Sequence, residues 1–254
     1  MINFGQKIQQ GERKMTLLSW TRRGLVAAAG AALLVGGLGG PASAQTPPGV
    51  LIVGQIAEPK SLDPAAVTAV NDFRILVNVY EGLTRYKSGT LEVEPALATD
   101  WAISEDGTEY TFTLRDGVTF HDGTPFNAAA VKFNFDRMLD ENHPYHDTGP
   151  FPLSFFFGAV ESTEVVDDMT VKFTLNAPYA PFLSNLAYPT GLMVSPAAVE
   201  ANGKEFGRNP VGTGPFKFAE WRSNEAVVVE RHDDYWGEAA GTDAVVFRPI
   251  TDAN

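Results

Sequence analysis

Apolar residues recur along the chain with two spacings, and each spacing predicts a different kind of element. In EYTFTLR, Tyr110, Phe112 and Leu114 alternate with Thr111, Thr113 and Arg115, the pattern of a strand with one buried face. EVVDDMTVKFTL repeats it as a hairpin, with Asp167 and Asp168 at the turn and Val171, Phe173 and Leu175 on one face. Elsewhere the spacing is three and four. Phe73, Leu76, Val77, Tyr80 and Leu83 form one helical face behind a cap at Asn71 or Asp72, and Ala128, Val131, Phe135 and Met138 form a second behind Asn127. SPAAVEANG predicts a short helix capped by Ser195, opened by Pro196 and stopped by Gly203. The unbroken run VLIVGQI predicts a buried strand ended by the turn-rich EPKSLDP. Three more strands are expected at FKFAEW, AVVVERH and AVVFRPI.

This order gives an α/β fold with an inserted, mainly antiparallel subdomain. HPYHDTGPFPLSFFFG, residues 143–158, is too long for a plain connection and counts as a feature in itself. After AVVFRPI the chain reads TDAN, a helix start with no helix behind it, so the sequence is expected to be the N-terminal part of a longer protein. No internal repeat is apparent.

Residues 1–44 change the picture of charge and address. TRRGLVAAAGAALLVGGLGGPASAQ has a basic pair, a small-residue apolar run and an Ala-x-Ala ending at Ala44, an export signal cut before Gln45. Arg22 and Arg23 point to the twin-arginine route, although the general secretory route also accepts basic starts. The run is too rich in Ala and Gly for a membrane span. Removing it takes away Lys7, Arg13, Lys14, Arg22, Arg23 and Glu12. That leaves 14 basic against 30 acidic residues, a charge of about −16. Such a surface repels nucleic acid and anionic membrane. The absence of cysteine excludes disulfides, thiolate metal sites and a lipidated cysteine. An exported, soluble, periplasmic protein that is not a lipoprotein is expected.

Signatures of catalysis are absent: there is no GxSxG, HExxH or dinucleotide glycine pattern. In NPVGTGPFKF, Pro215 removes an amide where a phosphate loop needs one, and FKF continues as a strand. Of the four histidines only His143 and His146 lie close in sequence, and Pro144 between them favours a surface loop over a metal site. Carboxylate pairs are too cheap to find among so many acids to establish a glycosidase. Aromatic clusters at Phe155–Phe157 and Tyr235–Trp236 read first as core, then as ligand platforms.

NVYEGLTRY at 78–86, EPALATDWAISEDGTEYTFTLRDGVTFHDGTPFNAAAVKFNFDR at 94–137, and NPVGTGPFKFAEW with RHDDYW at 209–236 resemble the family 5 extracellular solute-binding proteins. These serve ABC importers of peptides, nickel and related solutes. The likeness covers nearly all of residues 48–254. HPYHDTGPFPLSFFFG resembles dipeptide-binding members, and LAYPTGLMVSPAAVEANGKEFGRNPVGTGPF resembles glutathione-binding members. The resemblance implies a periplasmic binding protein type II-like fold of two hinged lobes, with the second lobe missing here. The first lobe would comprise 45–90 and 182–254, with the inserted subdomain at 91–181. It also implies ligand-facing positions at Thr68, Ala69, Val70 and Asn71, then Phe151 and Phe155, with Thr213 as a lesser one. The turn NPVGTGPF would re-enter the first lobe from the insert, with Pro210 and Pro215 stiffening it and Gly212 and Gly214 supplying backbone angles denied to side chains.

The expected protein is a monomeric binding component, not an enzyme, with no cofactor and no bound metal. Its partners are a short peptide, dipeptide, oligopeptide or glutathione, and an ABC permease in the inner membrane. Two rivals stand beside this: a nickel or metal-complex binder of the same family, and a secreted carboxylate-dependent hydrolase. Residues 45–254 alone are expected to bind weakly or not at all, because closure needs contacts to both lobes.

Overall fold

The computed structural model describes residues 46–250; the export-signal segment and the TDAN helix start lie outside the described residues. Its strands form two main sheets. The first joins β1 (Val50–Gln55) to three late strands, β8 (Phe216–Arg222), β9 (Ala226–Arg231) and β10 (Ala244–Pro249), in the order β1-β10-β9-β8. β1 runs parallel to β10, with Val50 opposite Ala244 and Gln55 opposite Pro249, and the other pairs are antiparallel. The second sheet comes from one contiguous stretch: β4 (Ala98–Ile103), β5 (Glu109–Leu114), β6 (Val160–Asp167) and β7 (Thr170–Leu175), in the antiparallel order β4-β5-β7-β6. A short ribbon of β2 (Thr84–Tyr86) and β3 (Val93–Pro95) stands between them in sequence.

The second sheet buries the face that its alternation predicts. Phe112 on β5 and Phe173 on β7 meet edge to face at 5.8 Å, and Phe173 meets Phe135 of helix α2 (Ala128–Leu139) at 4.8 Å. Asn127 caps α2 by accepting the Ala130 N–H, and Ala128, Val131, Phe135 and Met138 are all buried. In the first sheet, Val227, Val229, Val245 and Phe247 pack with Leu76 and Val79 of α1 (Val70–Val79) and with Val199 of α4 (Pro196–Asn202). A five-residue helix, α3 (Phe182–Leu186), drops Phe182 and Leu186 into the core of the second sheet. The predicted cap Ser195 and stop Gly203 stand at the two ends of α4.

Three expectations differ from the fold. α1 begins at Val70 after Ala69, with Asn71 and Asp72 inside its first turn. Both side chains turn back to the EPK turn: Asn71 Nδ2 donates to the Glu58 carbonyl, and Asp72 Oδ1 accepts the Lys60 N–H. On α1, Ile75 joins Phe73, Leu76 and Val79 on the buried face in place of Val77, which is 54% exposed, because the helix centres its inward face on Leu76 and ends before Leu83. β1 is an edge strand, not a fully buried one. It pairs only with β10 among the described residues, and Leu51 and Ile52 are 52% and 43% exposed.

Candidate binding site

The loop into α1 is shaped by its first residues. Asp63 accepts the Ala65 N–H at 3.0 Å and caps the turn Pro64–Ala66, and Val67 is anchored in the core. The chain then surfaces. Thr68 is exposed, Val70 is 64% exposed at the head of α1, and Ala69 and Asn71 are half-buried. Behind them Asp72 is fully buried, and burial raises its carboxyl above the ordinary range.

Phe73, one turn beyond Val70, starts a line of aromatic rings. It meets Tyr188 edge-on at 5.5 Å, Tyr188 meets Phe156 at 5.3 Å, and Phe156 meets Phe155 at 4.7 Å. The line ends at the surface, where Phe155 is 66% exposed. Each edge-to-face pair contributes about 0.5–1.5 kcal/mol beyond area burial, so the exposed ring is held from behind rather than loose. The geometry therefore joins the Thr68–Asn71 loop to Phe155 through three rings, of which sequence reasoning named only Phe156 as part of a cluster. Phe151 is buried instead: it is 4% exposed and holds a φ of 42°.

Thr213 is placed differently. It is fully buried, and its hydroxyl donates to Glu81 Oε2 at 2.9 Å. Glu81 also accepts Tyr235 Oη–H at 2.7 Å and Trp236 Nε1–H at 2.8 Å, while Arg115 lies over the Trp236 ring at 4.2 Å. Burial raises the Glu81 carboxyl, against the pull of these three donors. Gly212 and Gly214 serve this knot through space, not through backbone angle. Neither has a positive φ, but a Cβ on Gly214 would stand 2.7 Å from the Asn78 carbonyl, and one on Gly212 would overlap the Val79 carbonyl. The expectation of special angles is thus replaced by close approach to the end of α1.

His121 and His232 flank the same turn, their rings 4.9 Å apart edge to face. His121 Nε2–H donates to the Gly214 carbonyl at 2.9 Å, and Nδ1 accepts the Gly212 N–H at 3.3 Å, which fixes a neutral tautomer. The HPYHD histidines turn inward too: His146 Nδ1–H donates to the Arg137 carbonyl, and His143 Nδ1 accepts the Tyr145 N–H. Among the described residues no three His, Asp or Glu side chains cluster as metal ligands. No helix among them is long and apolar enough to cross a membrane. What the surface offers is apolar and aromatic area beside the exposed entry to α1, where the Ala69 carbonyl already accepts the Asp72 and Phe73 N–H groups, a setting for recognition of an extended ligand.

Sequence and structure comparisons show which known proteins the chain is similar to. Residues 92–254 match the model of the bacterial extracellular solute-binding proteins, family 5 Middle. The chain is 39% identical over 195 residues to the glutathione-binding protein GsiB of Pectobacterium atrosepticum, spanning 76% of this chain and 37% of that protein. The periplasmic binding protein DppA of Helicobacter pylori, solved with the peptide STSA, superposes with a TM-score of 0.74 at 40% identity, over 80% of this chain and 43% of DppA. NikZ of Campylobacter jejuni, solved with Ni(L-His), gives 0.72 at 29% identity, over 81% and 40%. The chain thus spans well under half the length of the relatives it matches. Its fold is that of a periplasmic binding protein of type II, and the chain belongs to the family 5 bacterial extracellular solute-binding proteins.

Proposed function

We propose that this chain forms the ligand-facing surface of the first lobe of a peptide-capturing binding protein, which delivers short peptides to an ABC permease in the inner membrane. The observation that carries the reading is the joined surface of Thr68–Asn71 and Phe155, backed by the line Phe73–Tyr188–Phe156. A peptide laid along the loop meets backbone groups at 68–71, and an apolar side chain meets Phe155 and Val70. Thr213 and Phe151 are buried, so in this reading they act on the fold and not on the ligand. In this reading 91–181 is an insert within a lobe made of 45–90 and 182–254, and the protein works as a periplasmic monomer without catalysis. Glutathione, dipeptides and longer peptides fall within the class, as the names of GsiB and DppA suggest. A nickel complex is favoured less, because His143 and His146 are held by backbone groups of the chain itself.

The test is an NMR titration of the chain with STSA, with glutathione and with nickel–histidine. Weak fast-exchange binding of a peptide is expected, in the millimolar range of about −4 kcal/mol. Shifts should concentrate at the amides of 68–71 and at Phe155 and Phe156. Shifts with nickel–histidine alone, or peptide shifts confined to other segments, would overturn the reading.

A further inference from the structure

We infer that Arg137, paired with Asp63, is a positioning residue that locks the two ligand-facing loops into one surface. The inference rests on the peptide-capture reading above. Arg137 sits on the inner side of α2 with its side chain 1% exposed, and that of Asp63 is 2% exposed. Nη1 donates to Asp63 Oδ2 at 2.8 Å and Nη2 to Oδ1 at 3.1 Å, so two parallel bonds fix the guanidinium plane. Asp63 is also the residue that caps the turn Pro64–Ala66, which delivers Thr68–Asn71 to the surface.

The same arginine holds the second loop at three places. Nη1 donates to Thr148 Oγ1 at 3.3 Å, and the Thr148 hydroxyl donates on to the Tyr145 carbonyl at 2.7 Å. The guanidinium lies 5.2 Å from the Phe151 ring centre. The Arg137 carbonyl accepts His146 Nδ1–H at 3.0 Å. Between these contacts the two loops touch: a Cβ on Gly149 would lie 3.1 Å from Ala66 Cβ. Phe151 adopts a left-handed backbone that a bulky residue keeps only when its surroundings over-determine it. Four residues on, Phe155 emerges at the surface.

Stability alone is a weak reason for such a pair. Apolar residues of similar volume generally hold a buried site as well or better, because two charges need not be desolvated. A bidentate pair instead supplies direction. Here it fixes the first loop against the second, and with them the spacing between Thr68–Asn71 and the aromatic line.

The test compares the wild-type chain with Asp63→Leu/Arg137→Met, Arg137→Lys and Thr148→Val. Amide hydrogen exchange is read across each chain, and STSA affinity by NMR titration. In the double variant, exchange should rise at least tenfold at both 61–71 and 143–157, while β4, β5 and β7 stay protected, and STSA affinity should fall tenfold or more. Arg137→Lys should restore part of both. Thr148→Val is mild enough to fold and should loosen 143–157 while sparing 61–71. A folded double variant with wild-type exchange in both loops, or with unchanged STSA affinity, overturns the inference, as does Thr148→Val loosening 61–71 equally. Should the wild-type chain bind no peptide, the functional reading fails, and the exchange comparison still decides whether Arg137 couples the loops.

Discussion

His121 makes stability depend on pH through a single ring. Burial disfavours its charged form and lowers its pKa from 6.5 to about 4, with the Gly214 carbonyl opposing the shift and His232 and Lys217 adding to it. The unfolded chain takes up a proton below about pH 6.5, and the native ring resists until about pH 4. This contribution is therefore complete above about pH 6.5, declines as the pH falls toward 4 and is then exhausted, for a total of about 3 kcal/mol. Urea midpoints of the wild type and His121→Gln at pH 7 and 4.5 should show the variant losing less; equal losses would remove His121 from the account. Glu81 carries the opposite sign, since its raised carboxyl makes its share of stability fade as the pH climbs. Glu81→Ala strands the buried Thr213 hydroxyl and the half-buried Tyr235 and Trp236 donors, and should cost about 2–4 kcal/mol. Glu81→Gln should cost about 1 kcal/mol, because the Tyr235 hydroxyl can turn to accept from the new amide whereas the Trp236 N–H cannot.

Among the elements, the turn at 212–214 is the most tightly specified. Gly214→Ala drives a methyl against the Asn78 carbonyl and Val79, and calorimetry should record a loss of about 2 kcal/mol or more. Asn127→Ala, which removes the cap of α2, should cost about 1 kcal/mol. The contrast between these two sites explains what the sequence disclosed. α2, β5, the β6–β7 hairpin and α4 were legible because a dozen neighbouring residues decide each one: Asn127 reaches Ala130, and Ser195 reaches Ala198. The edge position of β1 was not, since VLIVGQI reads the same whether one neighbour or two will pair with it. The inner shell of the candidate site was equally hidden. Arg137 occupies a helical position that normally signals a solvated charge, and its partner Asp63 lies 74 residues away. Phe73, Tyr188 and Phe156 come from three separate segments, so no local spacing announces that their rings will meet.

On the scale of the whole molecule, one sheet is local in sequence and the other is not. β4 to β7 lie within a single stretch, whereas Val50 cannot pair until Ala244 is present. Contacts between distant segments form late because loop closure must precede them. Refolding followed by pulsed hydrogen exchange should protect Phe112 and Phe173 early and the amides of 51–55 last; simultaneous protection would contradict this order. The first strand among the described residues is thus expected to settle last. Until β10 arrives, VLIVGQI has no strand to pair with, and the newly made chain has a long interval in which a chaperone or another unfinished copy can seize it first.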